Sequence, residues 1–305
     1  MKETGNKNNL YGYLFALAAT GIWSGNFIVA RNLADTVPPV SIAFWRWTVA
    51  VLVFTPFVIR QVIRDWPILK KHLPYLIISA VFGVTIFNTL IYIAGHTTTV
   101  INLSLISITF PIFIIILSRI LFKERITLPK IIGIILVTFG VILIITKGSL
   151  ALLLELEFFI GDIWMLLAAM LFAVYSLLLK KKPEEINILS FQYTTFAMGL
   201  AMLLPFFLIE VSVVTPAVYN SEVIFSILYI GIGASLMSYL LWNKAIAIIG
   251  PVKSAMVYYT IPLFSGVLAF LILDEKLAVI HVYSAILIIS GILLSNYNPQ
   301  GLRLK

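Results

Sequence analysis

The sequence predicts an all-α integral membrane protein with ten transmembrane helices, arranged as two inverted five-helix repeats. Composition, the length of the apolar runs and the placement of basic residues support this prediction. Of the 305 residues, 61% are apolar and 11% are charged, whereas soluble domains average roughly 45–50% and about 25%. The mean hydropathy is +1.06. A soluble core could not bury so much apolar surface, whereas a bilayer can.

Ten apolar runs come close to the roughly 20 residues that a helix needs to cross the hydrocarbon core. The gaps between them are short, so we expect no sizeable soluble domain. The first run ends in Arg31 rather than at a small-residue cleavage site, and we therefore interpret it as a retained helix. The expected spans are 11–30, 40–59, 73–95, 99–121, 128–146, 158–179, 188–209, 223–243, 252–273 and 278–296.

Lysine and arginine predict the orientation of the chain. Of the 21 basic residues, all but four lie in the termini or in connections on one side of the expected spans. The exceptions are Arg31, Lys147 and Lys276 on the other side and Arg46 within the second span. Connections rich in basic residues stay in the cytoplasm. We therefore expect a multi-pass protein of the cytoplasmic (inner) membrane with both termini in the cytoplasm.

The two parts of the chain resemble each other, which predicts an internal repeat. The segment Thr109–Phe113 matches Thr260–Phe264 at a shift of 151 residues. Nearer the start of each part the shift is 149, which places Gly12 on Gly161. Five spans are an odd number, so the second repeat must enter the membrane in the opposite direction. Such repeats commonly hold a substrate site between them near the bilayer midplane. The expected repeats are 11–146 and 158–296.

Motifs in both parts of the chain carry a family resemblance. They are, in order, Ile22-Trp23-Ser24-Gly25-Asn26-Phe27, Phe44-Trp45-Arg46-Trp47, Pro111, Phe122-Lys123-Glu124-Arg125, Gly161-Asp162 and Leu273-Asp274-Glu275-Lys276. In this order and spacing the chain resembles the drug/metabolite transporter (DMT) superfamily, EamA type with two EamA repeats, over nearly its whole length. The resemblance implies a ten-helix carrier that usually exports amino acids, related metabolites or toxic compounds.

The second repeat departs from the first at two positions. Thr195 stands where an arginine would match Arg46, and Ser284 stands where a glycine would match Gly133. The two repeats have therefore diverged, and we expect an asymmetric cavity.

Arg46 is the only charged side chain well inside an expected span. A charge at the bilayer centre costs roughly 2.5–3.5 kcal/mol on insertion scales, so this side chain should face protein or water. One interpretation is a contact to an anion or carboxylate in the cavity. The other is a structural arginine that binds carbonyl groups at a helix end or reaches the outer surface. Both interpretations stay open.

Polar and aromatic side chains at membrane depth predict the wall of a substrate cavity. Buried amide and hydroxyl groups need partners, which a hydrated cavity supplies, and aromatic rings offer apolar surface and attract cations. Asn88 and Tyr92 are four residues apart and share a helix face, although an asparagine also joins helices to each other in membranes. The candidate substrate-binding residues are Trp23, Asn26, Arg46, Asn88, Tyr92, Tyr175, Tyr239, Tyr258 and Tyr259.

Pro111 and Pro262 occupy matching positions in the two repeats. Proline removes a backbone donor and clashes with the preceding turn, so it bends or breaks a helix. Paired interruptions of this kind indicate a transport site, and we therefore predict hinges or kinks there. Simple packing kinks are the alternative.

Other residues are expected to have structural roles only. We expect Glu124 to cap a neighbouring helix or pair with Arg125, and Glu275 to do the same or pair with Lys276. The run Lys180–Lys182 is interpreted as a solvated topology anchor. Tryptophans near span ends are expected in the interfacial belt; they are Trp45, Trp47, Trp164 and Trp242.

The sequence predicts a secondary transporter, with export of amino acids or related small metabolites by alternating access as the first hypothesis. Efflux of hydrophobic or cationic toxic compounds is one alternative; a membrane-embedded enzyme or a receptor without flux is another. No nucleotide-binding loop, metal-ligand spacing or catalytic set is recognisable, so we expect no enzyme activity, cofactor or metal. We expect a small-molecule substrate and the lipid bilayer as partners, and no nucleic acid. Both a monomer and a homodimer stay open.

The sequence leaves two possibilities open for the energy source of transport. No carboxylate lies in mid-span, where proton pumps usually carry one. We expect either facilitated transport or coupling through residues near the membrane ends, for which Asp35, His96 and Asp162 are the candidates.

Overall fold

The computed structural model describes residues 2–214, 219–273 and 279–296, and the regular structure of these residues is helical. In the first half of the chain lie α1 (Lys2–Trp23), α2 (Asn26–Ala34), α3 (Pro39–Lys71), α4 (Leu73–Ala80), α5 (Phe87–Thr97), α6 (Val100–Ser107), α7 (Thr109–Phe122) and α8 (Leu128–Ile145). In the second half lie α9 (Leu150–Leu154), α10 (Ile160–Lys180), α11 (Ile188–Val213), α12 (Ser221–Leu228), α13 (Ser238–Tyr258), α14 (Ile261–Leu273) and α15 (Val279–Asn296).

Eight helical stretches of the described chain are long and apolar enough to cross a membrane. They are Pro39–Lys71, Leu73–Thr97, Val100–Phe122, Leu128–Ile145, Ile160–Lys180, Ile188–Val213, Ser221–Tyr258 and Val279–Asn296. The protein is therefore an all-helical, multi-pass membrane protein.

Two of the ten expected spans are not among these eight. In the first, the apolar part of α1 ends at Trp23, and α2 resumes at Asn26. In the ninth, a non-helical backbone at Gly250 separates residues 251–258 from the preceding part of α13, and a second break after Tyr258 leaves α14 only 13 residues long. Breaks divide both segments, so neither qualifies as one continuous helix, and the count of ten remains a prediction.

Both prolines that were predicted as hinges lie directly after a break in a helix. Pro111 is in the first turn of α7, after Ile108 separates it from α6. Pro262 is in the first turn of α14, after α13 has ended at Tyr258. Proline is tolerated there because the first N–H groups of a helix have no intrahelical partner.

Helices from the two halves pack against each other in pairs. The helix α3 packs against α11, α5 against α10, α1 against α13, and α8 against α15. The last pair approaches most closely at glycine: a Cβ atom on Gly291 would lie 2.7 Å from the carbonyl oxygen of Gly133. The core of the molecule therefore lies between the halves.

A π-helical segment interrupts one long helix in each half. Val81–Ile86 joins α4 to α5, and Tyr229–Met237 joins α12 to α13. The two segments occupy matching positions in the repeated sequence. A π-helix is rare and is frequently found at functional sites. The centre of the bundle, where these two segments lie, is therefore a candidate functional site.

Polar contacts close the lysine-rich end, where α3 and α10 end at Lys71 and Lys180. Lys180 forms an ion pair with Glu124 at 2.6 Å, so the expected pairing of Glu124 with Arg125 is wrong, and Lys180 is not merely a solvated anchor. His72 contacts Glu185, and this hydrogen bond lowers the pKa of the Glu185 carboxyl. Glu275 and Lys276, which were expected to pair, lie outside the described residues.

Buried and half-buried carboxylates close the opposite end, where α3 and α10 begin. The Glu210 carboxylate, at the end of α11, accepts hydrogen bonds from the N–H groups of Val40 and Ser41 at 3.0 and 2.6 Å. The Asp162 carboxylate accepts hydrogen bonds from Thr98 and Asn102 at 2.5 and 2.8 Å. Each carboxylate therefore joins two helices that are distant in sequence.

We expect Gly291→Ala to destabilise the protein, because the added methyl group meets the backbone of α8, at the Gly133 oxygen and the Val137 nitrogen, as well as the Val137 side chain. Overpacking of this kind costs about 1–3 kcal/mol, and the measurement is the free energy of unfolding in detergent. Gly266→Ala is the matched control, since its nearest neighbour, Cδ2 of His281, is 3.7 Å away. Equal stability of the two variants would contradict this close approach of α8 and α15.

Candidate functional site

A small cavity lies between the two halves at the level of the π-helical segments. Its volume is about 20 Å³, which is room for about one water molecule. Any larger ligand could enter only after the helices had moved apart. The lining residues are Trp23, Asn26, Arg46, Phe87, Asn88, Ile91, Phe172 and Tyr258.

Arg46 is buried in the wall of this cavity with 1% of its surface exposed. Its Nε donates to Oγ of Ser235 at 2.6 Å, and its Nη1 donates to the hydroxyl of Tyr92 at 2.7 Å. The guanidinium also lies 5.2 Å from the ring centroid of Trp47. None of these neighbours is charged, and no carboxylate of the described chain forms an ion pair with Arg46. It is a buried cation without a counter-ion.

Two amide side chains add polar atoms to the wall. Asn88 donates through Nδ2 to the hydroxyl of Tyr239 at 2.9 Å, and that hydroxyl donates to the carbonyl oxygen of Gly83 at 2.6 Å. These bonds connect the first half to the second. In contrast, Oδ1 of Asn26 is buried and accepts no hydrogen bond from any described residue. It is an acceptor that lacks a donor.

Aromatic rings, together with Ile91, form the remainder of the wall, and further rings form the layer behind it. The Trp23 ring centroid lies 5.5 Å from that of Phe172 and 5.3 Å from that of Trp242. Phe110 lies 4.7 Å from Tyr258 in an edge-to-face arrangement. The cavity therefore combines one cation and a few polar atoms with a continuous aromatic surface.

The nine predicted binding residues occupy three kinds of position. Tyr92 and Tyr239 do not line the cavity, but each forms a hydrogen bond with a residue that does: Tyr92 with Arg46, and Tyr239 with Asn88. Tyr175 does not line the cavity, but its ring stacks on the lining residue Phe172, and its hydroxyl bonds to Asn243. Tyr259 is buried but is not part of the lining. The five that line the cavity are Trp23, Asn26, Arg46, Asn88 and Tyr258.

Sequence reasoning missed three lining residues, Phe87, Ile91 and Phe172. A signal was present for each. Phe87 and Ile91 are four residues apart and therefore share a helix face, and Phe172 matches Trp23 at the 149-residue shift. Large apolar residues are so frequent in this chain that these signals did not stand out.

Two tryptophans expected in the interfacial belt are instead fully buried. Trp47 and Trp242 have 0% of their surface exposed. Trp47 packs 5.4 Å from Tyr239, and Trp242 donates through Nε1 to Oγ of Ser176 at 3.2 Å. The expectation was wrong because rings from the other half of the chain cover both residues: Trp47 packs against Phe196, and Trp242 packs against Trp23.

The residues named for energy coupling have different surroundings. Asp162 is 2% exposed and joins α10 to the start of α6. Asp35 is exposed. His96 lies between two backbone carbonyl groups: Nδ1 is 2.8 Å from the oxygen of Tyr92, and Nε2 is 3.2 Å from the oxygen of Val37. His96 thus connects α5 to the segment that precedes α3.

Several membrane-crossing helices and a small polar cavity with aromatic walls between two halves define a multi-pass membrane transporter. The chain belongs to the EamA-like transporter family, whose sequence model matches residues 10–146 and again residues 159–297. This match confirms the resemblance found in the sequence.

Relatives agree with this assignment, and a solved structure shares the fold. The chain is 28% identical to an uncharacterized transporter of Archaeoglobus fulgidus, over 90% of this chain and 93% of the relative. It is 25% identical to the uncharacterized transporter YyaM of Bacillus subtilis, over 92% of each chain. A crystal structure with 17% identity matches 95% of this chain and 98% of its own with a TM-score of 0.72, which shows the similarity of the folds.

We expect Tyr239→Phe to destabilise the protein, because it removes two hydrogen bonds between the halves and leaves only the longer bond from Nδ2 of Asn88 to the Gly83 carbonyl, at 3.4 Å. Each such hydrogen bond contributes about 0.5–1.5 kcal/mol. Tyr258→Phe is the control, since the Tyr258 hydroxyl bonds to no described residue. Thermal unfolding in detergent measures the difference; a Tyr239→Phe protein as stable as the control would show that these bonds contribute nothing.

Proposed function

We propose that this protein is a secondary transporter for small metabolites that carry a carboxylate, with amino acids and related compounds as the first candidates. It works by alternating access and exports its substrate. In this proposal the chain forms two inverted five-helix repeats, residues 11–146 and 158–296, and both termini lie on the cytoplasmic side of the inner membrane. The uncompensated charge of Arg46 is the observation that carries it.

The charge of Arg46 favours an anionic substrate group. Removing a cation from water without a counter-ion is expensive, and the surrounding hydroxyl groups and rings offset only part of this free energy. A carboxylate in the cavity would supply the missing negative charge. Its hydrogen bonds to the guanidinium would be charge-assisted and therefore strong.

The remaining cavity atoms suit the rest of an amino acid. Oδ1 of Asn26 lacks a donor, and an ammonium group would supply one. The rings of Trp23, Phe172 and Tyr258 offer a flat apolar surface for an aromatic or aliphatic side chain. The substrate class that fits this combination is an α-amino acid with an apolar side chain.

Alternating access follows from the size of the cavity and from the contacts at its two ends. A cavity with room for about one water holds no amino acid, so the described conformation is closed. The Glu124–Lys180 ion pair closes the lysine-rich end, and the bonds of Glu210 to α3 close the opposite end. If the contacts at one end open while those at the other end persist, the cavity is exposed to one side of the membrane at a time.

Efflux of hydrophobic cations is the competing transport function. Aromatic rings attract cations, so the wall around Trp23 would suit them. The guanidinium of Arg46 in the same wall would repel them. A membrane enzyme or a receptor remains the alternative from another class, and measured flux distinguishes it from a transporter.

Transport is either facilitated or coupled through residues near the membrane ends, with Asp35, His96 and Asp162 as the candidates. His96 lies between the carbonyl oxygens of Tyr92 and Val37 and thus joins α5 to the segment that precedes α3.

We expect Arg46→Gln to raise the KM for radiolabelled phenylalanine in proteoliposomes about 10–100-fold. A charge-assisted hydrogen bond contributes about 1.5–3 kcal/mol, and a tenfold change corresponds to about 1.4 kcal/mol. Arg46→Lys keeps the charge and should lie between this variant and the wild type. Arg119→Gln is the control, because Arg119 bonds only to a backbone carbonyl near the lysine-rich end. Transport of tetraphenylphosphonium but not of phenylalanine would favour the competing function.

A further inference from the structure

A second buried polar cluster lies between the cavity and the lysine-rich end. It consists of Tyr175 on α10, Gln192 on α11 and Asn243 on α13, which are 1%, 0% and 2% exposed. The Tyr175 hydroxyl donates to Oδ1 of Asn243 at 3.2 Å, and Nδ2 of Asn243 donates to Oε1 of Gln192. Three helices therefore meet in one set of uncharged polar groups.

This cluster corresponds to the polar part of the cavity in the repeated sequence. Asn26 matches Tyr175 at the 149-residue shift, and Tyr92 matches Asn243 at the 151-residue shift. Gln192 is three residues before the position that matches Arg46, so it lies on the same face of its helix. Because the repeats are inverted, the counterpart of a site near one end should lie near the other end.

Tyr175 closes the cluster from the side of the cavity. Its ring stacks on Phe172 at 5.8 Å between centroids and packs against the π-helical segment of the first half. A Cβ atom on Gly83 would lie 2.4 Å from Cδ2 of Tyr175. Glycine at this position allows the ring to lie directly on the backbone, and a movement of Tyr175 would connect the cluster with the cavity.

Gln192 has a donor group without an acceptor. Its Nε2 is buried and bonds to no described residue, although the group carries two N–H donors. Buried polar groups are normally paired, and an unpaired one needs an explanation. An acceptor that is present in only part of the transport cycle would explain it. The chemistry of the site is then a carboxylate or carbonyl oxygen bound by neutral donors.

We propose that Tyr175, Gln192 and Asn243 form a second substrate-facing site, which opens towards the lysine-rich end and binds the acceptor group of the substrate there. This inference rests on the proposed transport function. In the closed conformation the three side chains bond to one another and form a gate. When the gate opens, the Nε2 group of Gln192 binds the carboxylate that Arg46 binds on the other side of the gate.

Cysteine labelling tests the opening of the gate without any knowledge of the substrate. The chain has no cysteine, so each introduced thiol is the only one present. We expect a membrane-impermeant thiol reagent to modify Gln192→Cys and Asn243→Cys at least tenfold faster from the lysine-rich side than from the other. Asn26→Cys should show the reverse preference. Ser284→Cys, which is fully buried between other helices, should react from neither side.

Sided transport tests contact with the substrate. We expect Gln192→Met, which keeps the volume but removes the donors, to raise the KM for radiolabelled phenylalanine at least fivefold when it is supplied from the lysine-rich side. The KM from the opposite side should change less than twofold. Thr195→Val is the matched control, because the Thr195 hydroxyl bonds only to backbone carbonyls one turn away. A structural defect would instead change both sides and lower thermal stability.

The outcomes separate this inference from the proposed function. Either of two results overturns the second site while leaving transport intact. One is an equal change in KM from both sides. The other is labelling of Gln192→Cys from neither side or only from the opposite side. If the wild-type protein carries no phenylalanine, the proposed substrate class is wrong, and the labelling alone decides: a preference for the lysine-rich side supports the gate, and its absence overturns it.

Discussion

The hydrogen bonds among Asn88, Tyr239 and Gly83 are the contact on which the centre of this molecule depends. A bilayer offers no partner to a buried amide, hydroxyl or carbonyl group, so each half must satisfy the polar groups of the other. Asn88 and Tyr239 occupy matching positions in the two parts of the sequence, and each belongs to a helix that a π-helical segment interrupts. The pair therefore joins the two halves at the centre of the molecule, and the cavity lies beside it.

Arg46 is the exception, because the other half of the chain provides only part of the partners that its charged group needs. Ser235 and Tyr92 bind two of its nitrogens, yet no negative charge balances it within the described chain. The second half has no arginine to match, and a neutral cluster around Gln192 takes the corresponding place. In the proposed transporter, one fold thus carries a charged site near one end and an uncharged one near the other, which would give the two sides of the membrane unequal chemistry.

Predictions from the sequence succeeded where one physical constraint dominated. The length of the apolar runs predicted the long helices, because a helix must cross the bilayer core. The charge of Arg46 predicted that its side chain faces protein rather than lipid. They failed where alternatives were equally apolar. Trp242 could have been interfacial or buried, and Phe172 resembled many other phenylalanines. Only packing between helices that are distant in sequence distinguishes such positions.

The sequence by itself determined that this is a multi-pass helical membrane protein of the EamA-like transporter family, because composition, apolar runs and ordered motifs are local properties of the chain. The tertiary structure alone decided that Glu124 pairs with Lys180, that Trp47 and Trp242 are buried, and that the cavity has room for about one water molecule. Those features depend on which helices become neighbours, and pairing between helices leaves almost no trace in a chain whose faces are nearly all apolar.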